Sequence, residues 1–481
     1  MRETTMTQIL GPEITTTSVD FALVQDIVDK VNDLIDQDAK QRGRRLGRPA
    51  ERQLAMARTM DVIVREGAAR ARQGLDMWSE VQEKAIRDAV LDSMYRLGRI
   101  QKVVDMPLVE DVYIAGTRPA HVRLSDGSIV ECGVVADSNE ELIEQLRIIA
   151  THGSSTERQM VSSRPIIDMR LPDGQRAAGI WDVVPEPHLT IRCHRYVDIT
   201  LEKLIGMGMV SRSMANFLYA AVRGRRSILV IGVPGAGKTT MLRALAQCVD
   251  RYERFASLET EYELFLHKIF DTDKSGVTKP RYPLLVPMEA RPGTGETGPN
   301  GRPAGEMSVA DLFPASLRHS LQRLLIGEMR GEEIVPTLMA MARGYRGSMA
   351  SFHANSARKA FNSLQSAVTF YAHNVSAHAA MSLVADALDL IVFVDREDTA
   401  AGTIRYVSEI LEVHELSENG LPASTPIYGP DPAREDVDPR GYPLHQPEGN
   451  ALWARRAGLD LTWLHPSRGE WAQPFPQRQL A

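Results

Sequence analysis

The feature that most constrains this 481-residue chain is a glycine-rich loop set between an apolar run and a helical pattern. The run is Ser227-Ile-Leu-Val-Ile231, and its apolar residues are typical of a central parallel strand. The loop follows at once as Gly232-Val-Pro-Gly-Ala-Gly-Lys-Thr239, an unbroken GxxxxGK[ST] pattern, and residues 240–249 continue as a helix. Strand, loop and helix in this order predict an α/β domain that binds a nucleoside triphosphate.

The residue types of this loop suit a phosphate chain. Glycines let the backbone wrap around an anion with its N–H groups turned inward, and the following helix adds the positive end of its dipole. Lys238 supplies a cation for the β- and γ-phosphates, and the Thr239 hydroxyl is a ligand for Mg²⁺. We expect Lys238 to face solvent when no nucleotide is bound. The predicted cofactors are ATP and Mg²⁺, and the predicted nucleotide-binding residues are Gly232, Pro234, Gly235, Ala236, Gly237, Lys238, Thr239 and Thr240.

Two acidic segments follow the loop, each at the end of an apolar strand pattern. Hydrolysis needs an acid at a neighbouring strand end to hold the water shell of the metal or to polarise the attacking water. Residues 324–328, Leu-Leu-Ile-Gly-Glu, meet this requirement with Glu328. Residues 255–263 end a second strand with Glu259 and Glu263, although acids there are also typical of a solvated helix start.

The pattern along the chain predicts four segments. Apolar residues recur at helical spacing in residues 20–35, so residues 1–100 are expected to form a helical arm. Short alternating runs and turn residues predict an α+β domain at residues 101–200. Residues 201–417 are expected to form the P-loop domain. Residues 418–481 are rich in proline and are expected to form a largely irregular tail.

Composition excludes several classes of protein. With 62 acidic and 56 basic residues the chain lacks the basic excess of a protein that coats nucleic acid. Its three cysteines (Cys132, Cys193 and Cys248) are too far apart in sequence to suggest a zinc site or a disulfide framework, which suits a reducing compartment. No apolar stretch reaches transmembrane length and no signal peptide is apparent, so a cytoplasmic location is expected. A basic stretch at residues 40–49 is either an interhelical loop or a patch for acidic lipid headgroups.

Taken together, the motifs resemble the secretion ATPases of type II and type IV machines. Residues 232–239 match the Walker A motif, residues 258–264 the Asp box, residues 324–328 the Walker B motif and residues 344–355 the His box. The resemblance covers roughly residues 100–416 and is greatest to the CpaF-like ATPases of tight-adherence (Tad or Flp) pili. It implies a RecA-like P-loop NTPase domain, preceded by the α+β domain and the helical arm.

The resemblance also implies roles for individual residues. Glu259 and Glu263 would act on metal-bound water or as general bases, Glu328 would assist hydrolysis, and His353 would sense the γ-phosphate. The implied metal ligands are Thr239, Glu259 and Glu328. Arginines of the α+β domain would approach the nucleotide when that domain closes over it: Arg164, Arg176 and Arg192. Glu289 and Arg291 would line the site or a subunit contact.

The function implied by the resemblance is a motor that hydrolyses ATP to ADP and phosphate. Such a motor would be a homo-oligomer, expected to be a hexamer. On the cytoplasmic face of the membrane it would push on a platform protein of the inner membrane, to assemble a pilus or secrete protein. Thr260 and Tyr345 depart from the acid and the histidine that the family usually carries, so turnover is expected to be slow. An ATP-binding assembly or regulatory subunit and a nucleic-acid translocase are the alternatives, although no specific nucleic acid is expected.

Overall fold

A computed structural model describes residues 19–44, 46–153, 165–171, 174–193, 198–291, 293, 298, 301–372, 374–399, 402–433, 437–448 and 451–475. The chain divides into two compact units, residues 1–193 and residues 194–481, and each is described by itself. Within these ranges, no helix combines the length and the apolar character required to cross a membrane.

The first unit begins with three helices: α1 Phe21–Arg42, α2 Arg48–Arg72 and α3 Glu80–Tyr95. Asp20 caps α1, and Ser79 caps α3 in a reciprocal capping box with Gln82. The helices share a small core that includes Ile27, Ile63 and Val90, all fully buried. The basic stretch of residues 40–49 lies at the junction of α1 and α2, so it connects two helices of the arm.

An antiparallel sheet forms the rest of the first unit. Its elements are α4 Ile100–Val104, β1 Val109–Ala115, β2 Pro119–Leu124, β3 Ile129–Val134, α5 Asn139–Gly153, β4 Ile166–Arg170, β5 Arg176–Ile180 and β6 His188–Arg192. The strand order is β3-β2-β1-β6-β5-β4, and every neighbouring pair is antiparallel. Leu142 and Leu146 of α5 are fully buried in the same core as Val112 and Ile191 of the sheet.

The second unit is built on a nine-stranded mixed sheet of order β11-β8-β12-β13-β7-β14-β15-β16-β17. Its first six strands are parallel, and the last three are antiparallel additions at one edge. The strands are β7 Ile228–Gly232, β8 Phe255–Glu259, β11 Val286–Glu289, β12 Arg323–Met329, β13 Met349–His353, β14 Leu390–Thr399, β15 Gly402–Leu416, β16 Pro422–Pro430 and β17 Gly441–Pro443, with β9 Phe270–Thr272 and β10 Thr278–Pro280 as a separate pair.

Helices cover this sheet, and its two faces pack into two separate cores. The helices are α6 Leu201–Gly206, α7 Arg212–Arg223, α8 Lys238–Ala246, α9 Val309–Ser316, α10 Ile334–Ala342, α11 Ala357–Tyr371, α12 Ala377–Ala387 and α13 Leu452–Arg456. In β7, Ile228 and Val230 belong to one core, and Leu229 and Ile231 belong to the other. This alternation explains why the strand reads as a continuous apolar run, since both of its faces are buried.

The prediction of an irregular tail from residue 418 is wrong for much of that segment. Strand β16 pairs with β15, and its Tyr428 is fully buried with its hydroxyl 2.7 Å from Oγ of Ser213 on α7. The prolines do not prevent pairing because Pro422 and Pro430 are the strand ends and Pro426 lies beside a register shift. Trp453 also packs edge-on against Phe217 of α7, with ring centroids 5.7 Å apart.

Candidate nucleotide-binding site

The glycine-rich loop connects the buried strand β7 to the first turn of α8. Gly237, with φ of 98°, caps this helix, and Gly235 has φ of 76°, so both adopt a left-handed conformation that suits glycine. A Cβ atom at Gly235 would lie 2.7 Å from Nη1 of Arg396, and one at Gly232 would lie 2.2 Å from the carbonyl oxygen of Val394. Gly232 is therefore required for space, because its neighbour is backbone, and Gly235 is required for conformation. The loop leads into a helix start whose backbone N–H groups have no intrahelical partners.

Lys238 does not face solvent, contrary to the expectation from sequence. Its side chain is turned back into the loop, and Nζ lies 3.1 Å from the carbonyl oxygen of Gly232, 3.2 Å from that of Val233 and 3.1 Å from Nδ1 of His353. Burial lowers the pKa of Lys238 to about 8. The ammonium thus satisfies its hydrogen bonds with two carbonyl oxygens of the loop and with His353 at the end of β13.

His353 joins Lys238 to the predicted acid of the Walker B strand. Its Nε2 contacts Oε1 of Glu328, and Arg330 donates to Oε2 of the same carboxylate. Because an ammonium can only donate, Nδ1 of His353 accepts from Lys238. The proton of a neutral His353 ring then lies on Nε2, which faces the carboxylate of Glu328. Burial and the neighbouring Lys238 lower the pKa of His353, which favours this neutral tautomer. Burial opposes ionisation of Glu328, but Arg330, together with His353 and Lys238, outweighs it and lowers the pKa of that carboxyl.

The second acidic segment lies at the end of β8. Glu259 is 2% exposed, and its Oε2 accepts hydrogen bonds from the backbone N–H groups of Glu263 at 2.8 Å and Leu264 at 2.7 Å. Its Oε1 is buried without a hydrogen-bond partner in the described part of the chain, and burial raises the pKa of Glu259 to about 7. Thr239 donates to Oε2 of Glu263 at 3.2 Å. Glu263 thus links the two residues, since its backbone N–H donates to Glu259 and its side chain accepts from Thr239. A buried carboxylate oxygen without a donor fits a hard cation such as Mg²⁺.

Glu289 and Arg291, which were also predicted to line the site or a subunit contact, each hold a backbone segment next to β11 by a hydrogen bond. Glu289 lies opposite Glu259 in the β11–β8 pairing, and its Oε1 accepts from the N–H of Tyr262 at 2.8 Å. It therefore braces the backbone that presents Glu263. Arg291 donates from Nε to the carbonyl oxygen of Gly305 at 2.7 Å, which closes the base of the long loop between β11 and α9.

The arginines predicted to approach the nucleotide lie in the first unit. Arg176 and Arg192 are register partners on β5 and β6, and Nε of Arg192 donates to Oδ1 of Asp111 at 3.0 Å. Arg164 lies outside the described residues. Their action on nucleotide stays a prediction.

Three arginines at the loop were missed by the sequence reasoning. Arg330 contacts Glu328, Arg405 donates from Nε to the carbonyl oxygen of Gly235 at 2.9 Å, and Arg396 lies against the same glycine. For Arg396, the sequence signal was the polar segment that directly follows the apolar residues 388–394. Its meaning depended on knowing that β14 is the neighbour of β7.

The fold and the loop together define a P-loop α/β protein with an additional N-terminal sheet domain. The family model described as "Type II/IV secretion system protein" matches residues 96–393, and the chain belongs to that family.

Three curated relatives are 27 or 28% identical to this chain over the aligned residues. An uncharacterized protein of Methanocaldococcus jannaschii is 27% identical over 266 residues, which cover 55% of this chain but only 44% of that protein. The type IV secretion system protein VirB11 of Brucella suis is 27% identical over 303 residues, covering 56% of this chain and 76% of VirB11. A putative conjugal transfer protein of Mycobacterium tuberculosis is 28% identical over 249 residues, covering 50% of this chain and 64% of the relative.

Among solved structures, the ATPase DotB of Legionella pneumophila has a TM-score of 0.46 at 16% identity, covering 65% of this chain and 79% of DotB. The pilus retraction motor PilT with bound ADP has a TM-score of 0.43 at 17% identity, covering 65% of this chain and 82% of PilT.

Proposed function

We propose that this protein is an ATP-hydrolysing motor that powers pilus assembly or protein secretion. The observation that carries the proposal is the contact chain at the loop, in which Lys238, His353 and Glu328 lie within hydrogen-bond reach of one another. A cation for phosphates, a neutral imidazole and an ionised carboxylate are the groups needed to bind a triphosphate and orient a water. The proposed reaction converts ATP and water to ADP and phosphate.

Binding would replace the internal partners of the loop with those of the nucleotide. Lys238 would leave the carbonyl oxygens of Gly232 and Val233 for the β- and γ-phosphates. Thr239 would exchange Glu263 for the metal, while the buried carboxylate of Glu259 would hold metal-bound water. When bound, Mg²⁺ supplies positive charge that stabilises the phosphates of the transition state.

The hydrolytic step would depend on Glu328 and His353. Once Lys238 has turned to the phosphates, Nδ1 of His353 is released, while Nε2–H still holds the carboxylate of Glu328 in place. The ionised Glu328 would then polarise the attacking water, and Arg330 would keep that carboxyl charged at neutral pH. A neutral His353 can rotate or change its tautomer at little cost, which suits a group that responds to the γ-phosphate.

The motor role extends this chemistry to an assembly. We propose a homo-oligomer, expected to be a hexamer of the CpaF-like branch, which acts at the cytoplasmic face of the membrane on a platform protein. Similarity to VirB11 and to a putative conjugal transfer protein supports a role in a secretion machine. Opening and closing of each subunit during the ATP cycle would provide the mechanical work.

A second candidate is a nucleotide-binding assembly subunit with little turnover. Thr260 stands where the family usually has an acid, and the contact chain of Lys238, His353 and Glu328 must be opened before phosphate can bind. Both features favour slow hydrolysis over loss of binding, because neither removes a group of the loop itself.

Steady-state phosphate release from Mg²⁺-ATP tests the proposal. We expect turnover by the wild-type protein, at least a hundredfold loss in Glu328→Gln, and no change in Glu332→Gln, which alters an exposed neighbouring acid. Sizing with and without nucleotide would report assembly. ATP binding without release above the Glu328→Gln background would favour the assembly subunit, and stimulation by DNA that is lost at high salt would favour a translocase.

A further inference from the structure

The hairpin of β14 and β15 lies directly against the outside of the phosphate-binding loop. Arg396 and Arg405 are register partners near its end, so both guanidinium groups belong to one short stretch of the sheet. Arg405 donates from Nε to the carbonyl oxygen of Gly235 at 2.9 Å. Arg396 lies so close to Gly235 that a Cβ there would be 2.7 Å from Nη1.

The strand order of the nine-stranded sheet indicates which end of a bound nucleotide would lie next to this hairpin. In the sequence β12-β13-β7-β14, Glu328 and His353 lie on β12 and β13, to one side of the loop strand β7. The hairpin is on the other side. A triphosphate whose γ-phosphate faces Glu328 and His353 must direct its α-phosphate and nucleoside away from them, toward β14.

The two arginines differ in what holds them. Arg405 is fixed to the loop, because its hydrogen bond to the carbonyl oxygen of Gly235 ties that peptide to the hairpin. Arg396 is held by Asp398 at 3.4 Å, and the Asp398 side chain is 63% exposed. An exposed ion pair of this length contributes little, so the Arg396 guanidinium can exchange Asp398 for a stronger anion at small cost.

We propose that Arg396 and Arg405 form a clamp on the nucleoside side of the site: Arg396 binds the α-phosphate, and Arg405 positions the loop through Gly235. The clamp rests on the proposed nucleotide site and adds a contact that ADP and ATP share. Arg396 is thus a binding residue that does not distinguish the two nucleotides, whereas groups at the γ-phosphate must distinguish them. A guanidinium suits this task because its fork of N–H donors matches phosphate oxygens.

Calorimetric titration with Mg²⁺-ADP and with a non-hydrolysable ATP analogue tests the clamp on the full chain. For Arg396→Ala we expect both affinities to fall by the same factor, roughly tenfold or more, as for loss of a charge-assisted hydrogen bond. Arg396→Lys should recover part of the loss. Arg358→Ala, which removes an exposed arginine on α11, is the matched control and should change neither affinity.

The positioning role of Arg405 requires a separate readout. Arg405→Ala should lower both affinities and raise KM for ATP more than it lowers kcat, and Arg405→Lys should restore most of the effect because an ammonium can also donate to Gly235. A circular-dichroism melt that matches the wild-type protein would exclude misfolding of either variant.

Three results would overturn the clamp. The first is unchanged ADP affinity in Arg396→Ala while the wild-type protein binds ADP, which leaves the proposed nucleotide site intact. The second is a loss confined to the ATP analogue, which would place Arg396 at the γ-phosphate. The third is a wild-type protein that binds neither nucleotide, which would refute the proposed function as well.

Discussion

Two ionisable residues of the site are held in surroundings that oppose their charge. Lys238 has its pKa lowered to about 8 and Glu259 has its pKa raised to about 7, in both cases mainly by burial. Without nucleotide, neither group has a fully compensating partner of opposite charge. A bound Mg²⁺-nucleotide would provide phosphates for the first and a cation for the second, so part of its binding energy would come from relieving this strain.

Lys238→Met should make the nucleotide-free protein more stable at pH 7 while abolishing turnover. The unfolded lysine keeps its proton up to its ordinary pKa of 10.5, but the folded one only up to about 8. Between these values the unfolded state binds more protons, so the wild-type free energy of unfolding rises with pH relative to the variant, by up to about 3 kcal/mol. Urea unfolding of both proteins from pH 7 to 10.5 measures this difference. A constant difference over that range would contradict the lowered pKa.

Sequence reasoning at this scale found the residues that belong to a motif and missed those that depend on neighbouring strands. Glu328 and His353 were predicted, and the structure brings both to Lys238. Arg396 and Arg405 follow Lys238 by more than 150 residues and reach the loop only because β14 pairs with β7. The pairing depends on how the whole sheet assembles, and no local pattern encodes it.

At the scale of elements, a buried ion pair ties the Walker B strand to its neighbours. Arg323 begins β12 and is 1% exposed, and its guanidinium donates to both carboxylate oxygens of Glu253, at 2.7 and 3.1 Å. It also donates to the carbonyl oxygens of Val222 on α7 and Gly347 before β13. One side chain therefore sets the relative position of three elements that lead to the site.

Glu253→Gln should destabilise the second unit by about 3 kcal/mol, because it leaves the guanidinium charge of Arg323 buried without its counter-ion. Chemical denaturation monitored by tryptophan fluorescence measures the change. The paired replacement Glu253→Leu with Arg323→Met should recover most of the stability, since it removes both charges. If the single and paired variants are equally unstable, the loss arises from packing and the ion-pair interpretation fails.

The C-terminal segment, predicted to be irregular, also contributes a strand to the sheet. Its prolines suggested irregular chain, yet β16 pairs with β15 and Tyr428 is buried in the same core as residues of α7. A proline-rich composition indicates that a segment cannot fold by itself. It does not report that an existing edge strand, here β15, offers a template on which the segment can pair.

At the scale of the whole molecule, the chain consists of two units with separate cores, so each is expected to fold without the other. A fragment of residues 198–481 should unfold in one cooperative transition and bind Mg²⁺-ADP with an affinity close to that of the full chain. Its turnover should be at least tenfold lower if Arg176 and Arg192 stabilise transition-state charge. Equal turnover by fragment and full chain, measured by phosphate release, would rule out that role for the arginines.

The sequence by itself determined the class of this protein, because a P-loop needs particular residues at fixed local spacing. Residues 232–239 contain all of them in one uninterrupted segment. It also indicated the acids at the strand ends, since apolar strand patterns are local as well. Only the tertiary structure decided what surrounds Lys238, which side of the loop Arg396 and Arg405 occupy, and that β16 joins the sheet. Each of these depends on contacts between distant segments, whose geometry follows from strand order and close packing and leaves no local signature in the sequence.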